Sequence, residues 1–349
     1  MTPQRLGRAL PDLSAAETRK IVASVHRGEW SGEGEPTHPK TTRAPLAGVR
    51  RVALRAVREV GHVPTLELRS LQRSLVDPFV KLALGTADGH VVEAVRIPLE
   101  RGGRFSACVS SQAGCALGCT FCATGRLGLA RNLAAWEIVE QVRLLRATLA
   151  PGQRIHGAVF QGMGEPLANV ERVIEAIEVM CDPCALAIDA RAITVCSSGL
   201  PAGVRRLAQA LPKVRLAVSL GSLRSDVRRR LMPIEAAHPL SEVLVAVAEH
   251  ARATGLAPMW AVTPLAGVND TDDDARALAL AVRAFEAEVG VRPRVSIVPY
   301  NSIDSACDPF ARGDVDGFIA RLVAHGIRPH LRYSGGADVA AACGQLAGR

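Results

Sequence analysis

The amino-acid sequence predicts an α/β fold in which a parallel sheet forms a full or partial β/α barrel. From about Arg104 onward, short apolar runs alternate with longer segments of helical periodicity. Such alternation implies parallel strands joined by helical crossovers. The chain has 349 residues, of which 48% are hydrophobic and 22% charged, so it is long and apolar enough to bury the core of such a fold.

Seven apolar runs are predicted to form the strands of this sheet. They lie at 105–109, 157–161, 192–195, 214–220, 259–263, 294–298 and 330–333. Helical periods separate most of them, including 134–148, Val170–Cys181, Leu240–Thr254 and Asp272–Val289. In such folds the functional side chains gather at the carboxyl ends of the strands.

The first 103 residues are predicted to form two smaller regions ahead of this core, which is expected to span 104–349. Residues 1–75 combine short helices with a Gly/Pro/Thr-rich loop at 32–45, and we expect a small helical accessory domain there. Residues 76–103 contain two alternating apolar segments, 79–84 and 91–97, on either side of the turn residues 87–89. This pattern predicts a β-hairpin.

The charge distribution is compatible with a polyanionic partner or with a solvated basic face, and charge alone does not separate the two. The formal net charge is +8. Residues 1–75 hold 13 Lys/Arg against 7 Asp/Glu, a net charge of +6. A second basic run, RSDVRRR, covers 224–230 at a predicted loop-to-helix junction.

Membrane and secreted classes are not supported by the sequence. No run of about 18 uncharged apolar residues is present, so no membrane-spanning segment is predicted. The amino terminus lacks the apolar segment and cleavage site of a secretory signal. We therefore expect a cytoplasmic protein whose nine cysteines serve metal binding or reactivity and do not form a disulfide framework.

The strongest motif is a C-x3-C-x2-C spacing in the loop after the first core strand, formed by Cys115, Cys119 and Cys122. Three thiolates can ligate three irons of a [4Fe–4S] cubane and leave the fourth iron open. An open iron can bind the amino and carboxylate groups of S-adenosylmethionine (SAM), which the cluster then cleaves to a radical. The alternatives are a zinc site, with a fourth ligand from His156 or the Cys181–Cys184 pair, or three incidental buried thiols.

Polar and small residues follow several predicted strands. The sequence Gly-Met-Gly-Glu-Pro at 162–166 offers close backbone approach to a ligand and a carboxylate, Glu165, for an ammonium group such as the SAM amine. Polar clusters also follow the strands ending near Cys196, Ser219 and Asn301. Each cluster alone is explained by capping of the next helix, but their recurrence at successive strand ends favours one shared ligand.

Two further cysteines occupy informative positions. Cys108 precedes the cluster motif on the first core strand, and Cys343 lies six residues before the carboxyl terminus in AACGQL. A free cysteine is usually an inert core residue, whereas one with a lowered pKa is nucleophilic. Composition leaves both interpretations of Cys343 open.

A set of collinear motifs resembles the RlmN/Cfr family of radical SAM RNA methyltransferases. From about Phe79 onward the chain contains CVSSQAGCALGCTFCATG, GMGEPLAN, RLMPI, GVND, VPYN and AACGQLAG in that order. The resemblance implies a radical SAM partial barrel with a [4Fe–4S] cluster and SAM. The implied activity is methylation of C2 or C8 of an adenine in ribosomal RNA and, for some members, transfer RNA.

The resemblance also assigns roles to individual residues. One SAM would methylate Cys343, and a second, cleaved at the cluster, would convert that methyl group into a radical that adds to the adenine. Cys108 would resolve the covalent link and leave a disulfide, and Glu93 would accept a proton, although its position in the sequence alone favours a solvated hairpin side chain. The positions that correspond to SAM contacts are Gly164, Glu165, Cys196, Ser219, Leu220, Gly221 and Asn301.

The chain departs from the family pattern at several positions. Gly221 stands where members usually carry His, Cys196 stands where they usually carry Ser, and residues 1–75 match only weakly. These departures bear on the RNA target and the modified carbon more than on the reaction class. Alternatives are a radical SAM enzyme with a non-RNA substrate and a non-catalytic, cluster-containing RNA-binding relative. A reductant such as flavodoxin or ferredoxin and a monomeric state are also expected.

Overall fold

The computed structural model describes residues 1–30, 46–60, 63–303 and 308–348. Its strands are β1 (Glu67–Arg73), β2 (Val80–Gly85), β3 (Val91–Pro98), β4 (Arg104–Cys108), β5 (Gln112–Cys115), β6 (Gly128–Asn132), β7 (Arg154–Phe160), β8 (Ile193–Ser197), β9 (Arg215–Ser219), β10 (Met259–Val262), β11 (Arg294–Ile297) and β12 (His330–Leu331). Its α-helices are α1 (Pro3–Ala9), α2 (Ala15–His26), α3 (Arg51–Val60), α4 (Ala135–Ala147), α5 (Val170–Cys181), α6 (Pro201–Ala210), α7 (Ser225–Leu231), α8 (Leu240–Thr254), α9 (Asp272–Val289) and α10 (Val315–Ala324).

One ten-stranded sheet organises the fold, in the order β1-β2-β3-β4-β7-β8-β9-β10-β11-β12. Within this sheet, β4 and the strands from β7 to β12 pair in parallel, whereas β1 to β4 pair antiparallel. Strands β1 and β12 are the two edges, so the barrel is partial and not closed. Strands β5 and β6 form a separate two-stranded sheet that brackets the cysteine motif.

The seven predicted core strands and the predicted hairpin are confirmed, with ends that shift by at most a few residues. The apolar runs identified them because parallel strands covered by helices are buried on both faces. The four helices proposed from periodicity are also present as α4, α5, α8 and α9. The boundaries proposed for the three regions of the chain stay predictions.

Residues 1–75 contain the expected short helices but also the unpredicted edge strand β1. Its sequence, ELRSLQR, lacks an apolar face, and both Leu68 and Leu71 are exposed. Charged side chains are typical of edge strands, where they discourage pairing with other chains. The predicted loop at 32–45 lies outside the described residues.

The core forms where the helices cover the parallel strands. Trp260 of β10 is fully buried and packs edge-on against Phe285 of α9, with ring centroids 5.2 Å apart. Helix α9 begins with a capping box, in which Thr271 and Asp274 each accept a hydrogen bond from the other's backbone N–H. This rigid base fixes the strand ends that carry the site.

No helix in the described ranges combines the length and the apolar character needed to cross a bilayer.

A buried histidine makes the fold sensitive to acid. His250 of α8 is 1% exposed, and neither ring nitrogen has a hydrogen-bond partner in the described part of the chain. Burial lowers the pKa of His250 to about 4. Because the unfolded chain binds this proton below about pH 6.5, stability is lost as the pH falls from there towards the folded pKa.

We predict that His250→Leu removes this acid sensitivity. Between pH 7.5 and pH 5 the variant should lose about 2 kcal/mol less of its free energy of unfolding than the original protein. The reason is that, over about 1.5 pH units below about pH 6.5, the unfolded chain binds a proton that the folded protein does not. Urea unfolding at the two pH values measures the difference. Equal losses in the two proteins would contradict the assignment.

Candidate active site

The cysteine motif forms a compact loop between β5 and β6. Cys115 ends β5, and the Cys122 N–H donates to the Cys119 carbonyl over 3.2 Å. The Thr120 N–H donates to the Leu231 carbonyl at the end of α7 over 3.0 Å. All three cysteines line one cavity at the carboxyl ends of the parallel strands, the cluster cavity.

The environment of these thiols suits metal binding. Burial raises the pKa of Cys115 to about 11 and that of Cys119 to about 12. A bound cation offsets this cost because it stabilises the thiolate. No group of three His, Cys, Asp or Glu side chains among the described residues is placed to hold a single metal ion. A cubane needs no such group, since each thiolate ligates its own iron.

The residues considered for a zinc site lie elsewhere. His156 is near the start of β7, whereas the cavity borders its far end at Phe160. Cys181 ends α5, and neither it nor Cys184 lines the cluster cavity. The described residues therefore supply no fourth zinc ligand from these candidates.

The turn at 162–166 brings a buried carboxylate to the cavity. Gly164 has a φ of 97°, and a Cβ there would lie 2.5 Å from the Gln112 Cβ, so the turn requires glycine. Glu165 is 3% exposed and accepts hydrogen bonds from the N–H groups of Leu167 (2.9 Å) and Ser198 (2.8 Å).

Glu165 is suited to a cationic partner. Burial raises the pKa of Glu165, and the backbone donors oppose this shift. No cationic side chain in the described ranges is hydrogen-bonded to it. A ligand ammonium would supply the missing positive charge in a buried setting, where charge-assisted hydrogen bonds are strong.

The other predicted strand-end residues divide into two groups. Cys196, Ser219 and Asn301 line the cluster cavity together with Gly164 and Glu165. They follow or end three different strands, so the sheet gathers its carboxyl ends around one space, as the sequence predicted.

Leu220 and Gly221 lie outside this cavity. Leu220 is fully buried in the hydrophobic core, and its carbonyl accepts a hydrogen bond from Arg228 Nε. Gly221 lines a smaller neighbouring cavity, has a φ of 68°, and would place a Cβ 2.6 Å from the Met232 Sδ. A side chain at position 221 would therefore strain the turn and require Met232 to move.

The carboxyl-terminal tail, residues 334–348, brings Cys343 to the cluster cavity. The Ala123 N–H donates to the Gly344 carbonyl over 2.8 Å, and the Thr124 hydroxyl donates to the Leu346 carbonyl over 2.6 Å. The Asn301 side-chain amide donates to the Cys343 carbonyl over 3.1 Å. The tail is thus bonded directly to the loop that carries the cluster cysteines.

Cys343 also borders a second cavity, which contains Cys108 and Arg332. Gln161 stands between the cavities, where its Nε2 donates to the Cys343 Sγ over 3.2 Å and its Oε1 accepts from the Cys196 Sγ over 3.8 Å. All described cysteines are free thiols, so the disulfide expected between Cys108 and Cys343 is not formed in this structure.

The surroundings of Cys108 and Cys343 favour the protonated form of both thiols. Burial raises the pKa of Cys108 to about 12. Cys343 is accessible to solvent, but the protein around it raises the pKa of its thiol to about 11, against an opposing effect of Arg332.

Glu93 lies apart from both cavities. It is 1% exposed on β3, and its carboxylate contacts Lys81 Nζ at 3.0 Å. The same carboxylate accepts hydrogen bonds from the N–H groups of Ala347 (2.7 Å) and Gly348 (3.1 Å). The structure therefore places Glu93 under the tail and not beside the three cluster cysteines.

Sequence reasoning missed the roles of Gln161 and Arg228. Gln161 follows β7, so the strand-end criterion that identified Cys196 could have identified it. The run at 224–230 was considered as a solvated basic face, but Arg228 is fully buried. Its Nε donates to the Leu220 carbonyl over 3.0 Å and its Nη2 to the Ser198 carbonyl over 2.9 Å.

Arg228 also forms an ion pair with the buried Glu235. Its guanidinium thereby joins the turns after β8 and β9, which frame the cluster cavity. The helical spacing of Arg228 beside the buried Val227 and Leu231 was the available signal.

Comparisons with known proteins identify the superfamily and the family of this chain. The radical SAM superfamily profile matches residues 109–281, which include the three cluster cysteines and the turn at 162–166. A "Probable RNA methyltransferase" of Sorangium cellulosum is 54% identical over 369 residues, covering 99% of this chain and 91% of that protein. A "Probable dual-specificity RNA methyltransferase RlmN" of Moorella thermoacetica is 41% identical over 271 residues, covering 76% of this chain and 75% of its own length.

A solved structure gives the same answer for the whole chain. A radical SAM methyltransferase from Sphaerobacter thermophilus superimposes with a TM-score of 0.85 and 30% identity, covering 99% of this chain and 96% of that one. The chain belongs to the RlmN/Cfr family of radical SAM methyltransferases, which use a [4Fe–4S] cluster and SAM. The predicted family and the predicted partial-barrel fold are confirmed.

We predict that Arg228→Met destabilises the protein by about 3–5 kcal/mol, because it leaves the Glu235 carboxylate buried without its partner. Arg229→Met, an exposed neighbour on the same helix, should change the free energy of unfolding by less than about 0.5 kcal/mol. Urea unfolding of both variants provides the measurement. Similar small effects would show that the buried pair does not organise these turns.

Proposed function

We propose that the protein methylates a ring carbon, C2 or C8, of an adenine in RNA through an S-methyl group carried on Cys343. The observation that carries this proposal is the position of Cys343, which borders both the cavity of the cluster cysteines and the cavity of Cys108. The family relatives named as RNA methyltransferases, some with dual specificity, support RNA as the substrate.

Cys115, Cys119 and Cys122 would hold the cluster, and Glu165 would bind the SAM ammonium group. When bound, the cluster would supply the electron that cleaves SAM, so that a hydrogen atom could be taken from the S-methyl group on Cys343. Residues around the ligand would be Gly164, Cys196, Ser219 and Asn301 with the backbone of Leu220 and Gly221. The convergence of these groups on one end of the sheet supports the assignment.

The two thiols divide the remaining work. After the methylene group on Cys343 has bonded to the adenine carbon, the Cys108 sulfur attacks the Cys343 sulfur. The S–S bond forms, the C–S bond breaks, and its electron pair stays with the methylene carbon, which takes up a proton to become the product methyl group. The ring carbon loses its hydrogen as a proton, and the unpaired electron that radical addition leaves on the ring would return to the oxidised cluster. The role of Glu93 as proton acceptor rests on family resemblance, because its carboxylate is bonded to Lys81 and the tail here.

The accessory region offers a surface for the RNA backbone. Arg51, Arg55 and Arg58 recur at helical spacing on α3 and are exposed, so they would form one basic stripe. Ribosomal RNA is the proposed target, with transfer RNA a second substrate in line with the dual specificity of named relatives. Flavodoxin or ferredoxin as the reductant, a monomeric state and a cytoplasmic location complete the proposal.

We predict that Cys108→Ala accumulates a covalent protein–RNA adduct, because the Cys343 link forms but cannot be resolved. Cys343→Ala should give neither the adduct nor methylated adenine, with a loss of about 10⁴-fold or more in product formation. Denaturing gels with labelled RNA detect the adduct, and mass spectrometry of digested nucleosides detects the product.

Cys181→Ala is the matched control, since Cys181 lines neither the cluster cavity nor the cavity of Cys108. This variant should form product as the original protein does. Continued turnover by Cys343→Ala would reject the methyl-carrier mechanism and favour a different radical SAM reaction.

A further inference from the structure

The hairpin β2–β3 presents one face to the carboxyl-terminal tail. Lys81 pairs with Val95 across the two strands, and Val95 pairs in turn with Cys108. Glu93 is two residues before Val95 and therefore points to the same face. Lys81, Glu93 and Cys108 thus share the side of the sheet on which the tail lies.

A buried ion pair occupies this face. The side chains of Lys81 and Glu93 are 6% and 1% exposed, and the Lys81 Nζ lies 3.0 Å from the Glu93 Oε1. The second oxygen, Oε2, accepts the N–H groups of Ala347 and Gly348. One carboxylate oxygen is therefore bonded to the hairpin and the other to the tail.

We propose that Lys81 and Glu93 form a latch that positions the Cys343-bearing tail over the cluster cavity, with Lys81 as a positioning residue that acts through Glu93 and through its own bond to the Ala340 carbonyl (3.5 Å). The inference rests on the proposed function, because it concerns the placement of the proposed methyl carrier.

The physical argument depends on the cost of an isolated buried charge. Without Lys81, the Glu93 carboxylate is left buried with only two backbone donors, and such a charge is strongly unfavourable. The unpaired carboxylate draws in water, which competes with the charge-assisted bonds to Ala347 and Gly348. The tail then keeps its bonds to the cluster loop at Gly344 and Leu346 and to Asn301, but it loses its attachment to the hairpin through Ala347 and Gly348.

The latch completes a two-sided attachment of the tail. The cluster loop binds it at Gly344 and Leu346, and the hairpin binds it at Ala347 and Gly348. Cys343 directly precedes this doubly held segment. We infer that the orientation of Cys343 towards both cavities depends on both attachments.

Amide hydrogen exchange in the cluster-loaded protein tests the latch without SAM or RNA. In Lys81→Met, exchange across 340–348 should accelerate by about tenfold or more, as expected for loss of charge-assisted hydrogen bonds, while α9 remains unchanged. Alkylation of Cys343 by iodoacetamide, followed by peptide mass spectrometry, should accelerate in parallel.

Arg96→Met is the matched control. Arg96 is a buried cation on β3, but its guanidinium donates to the Thr148 carbonyl (2.8 Å) and contacts no tail residue in the described ranges. Its loss should leave tail exchange unchanged. Equal acceleration in the control would overturn the proposal, because the effect would then be general loosening of the sheet.

Ala347→Pro provides a second route that leaves the hairpin intact, since proline removes the N–H that donates to Glu93. Ala347→Pro should accelerate tail exchange by a similar factor. It therefore tests the latch even if Lys81→Met fails to fold. Unchanged tail exchange in Ala347→Pro would overturn the latch. Because neither readout requires turnover, that result would leave the methylation proposal standing, and failure of methylation would leave the latch result intact.

Discussion

The attachment of the carboxyl-terminal tail to the cysteine loop is the interaction on which the site depends. One backbone bond from Ala123 and one hydroxyl bond from Thr124 hold the tail against the loop of Cys115, Cys119 and Cys122. A thiol at the end of a flexible chain would otherwise sample many positions, and ordering it costs conformational entropy. These bonds order the tail in the absence of substrate, so the Cys343 thiol is already in place beside the cluster cavity.

The parallel sheet supplies the other half of the arrangement. Its strand ends bring a buried carboxylate, Glu165, and the side chains of Cys196, Ser219 and Asn301 to one cavity. Arg228 connects the turns after β8 and β9, because its guanidinium donates to the carbonyls of both Ser198 and Leu220. A rigid scaffold with a docked thiol suits a reaction in which a radical must meet one methyl group and nothing else.

Local signals made most of this predictable from the sequence. The cysteine spacing, the turn at 162–166 and the apolar runs of β4 and of β7 to β12 each lie within a short segment. What could not be predicted depends on distant pairs. Glu93 meets Ala347 across 254 residues, and Gln161 meets Cys343 across 182. Strand β1 was not predicted for a different reason: an exposed edge strand lacks the apolar pattern from which buried strands are predicted.

Mass spectrometry of the tryptic peptide that contains Cys343 tests the central claim most directly. The protein would be reconstituted anaerobically with iron, sulfide and SAM in the absence of RNA. A mass gain of one methyl group on Cys343, absent from Cys181 in the same sample, is the predicted result. An unmodified Cys343 in protein with an intact cluster would contradict the account.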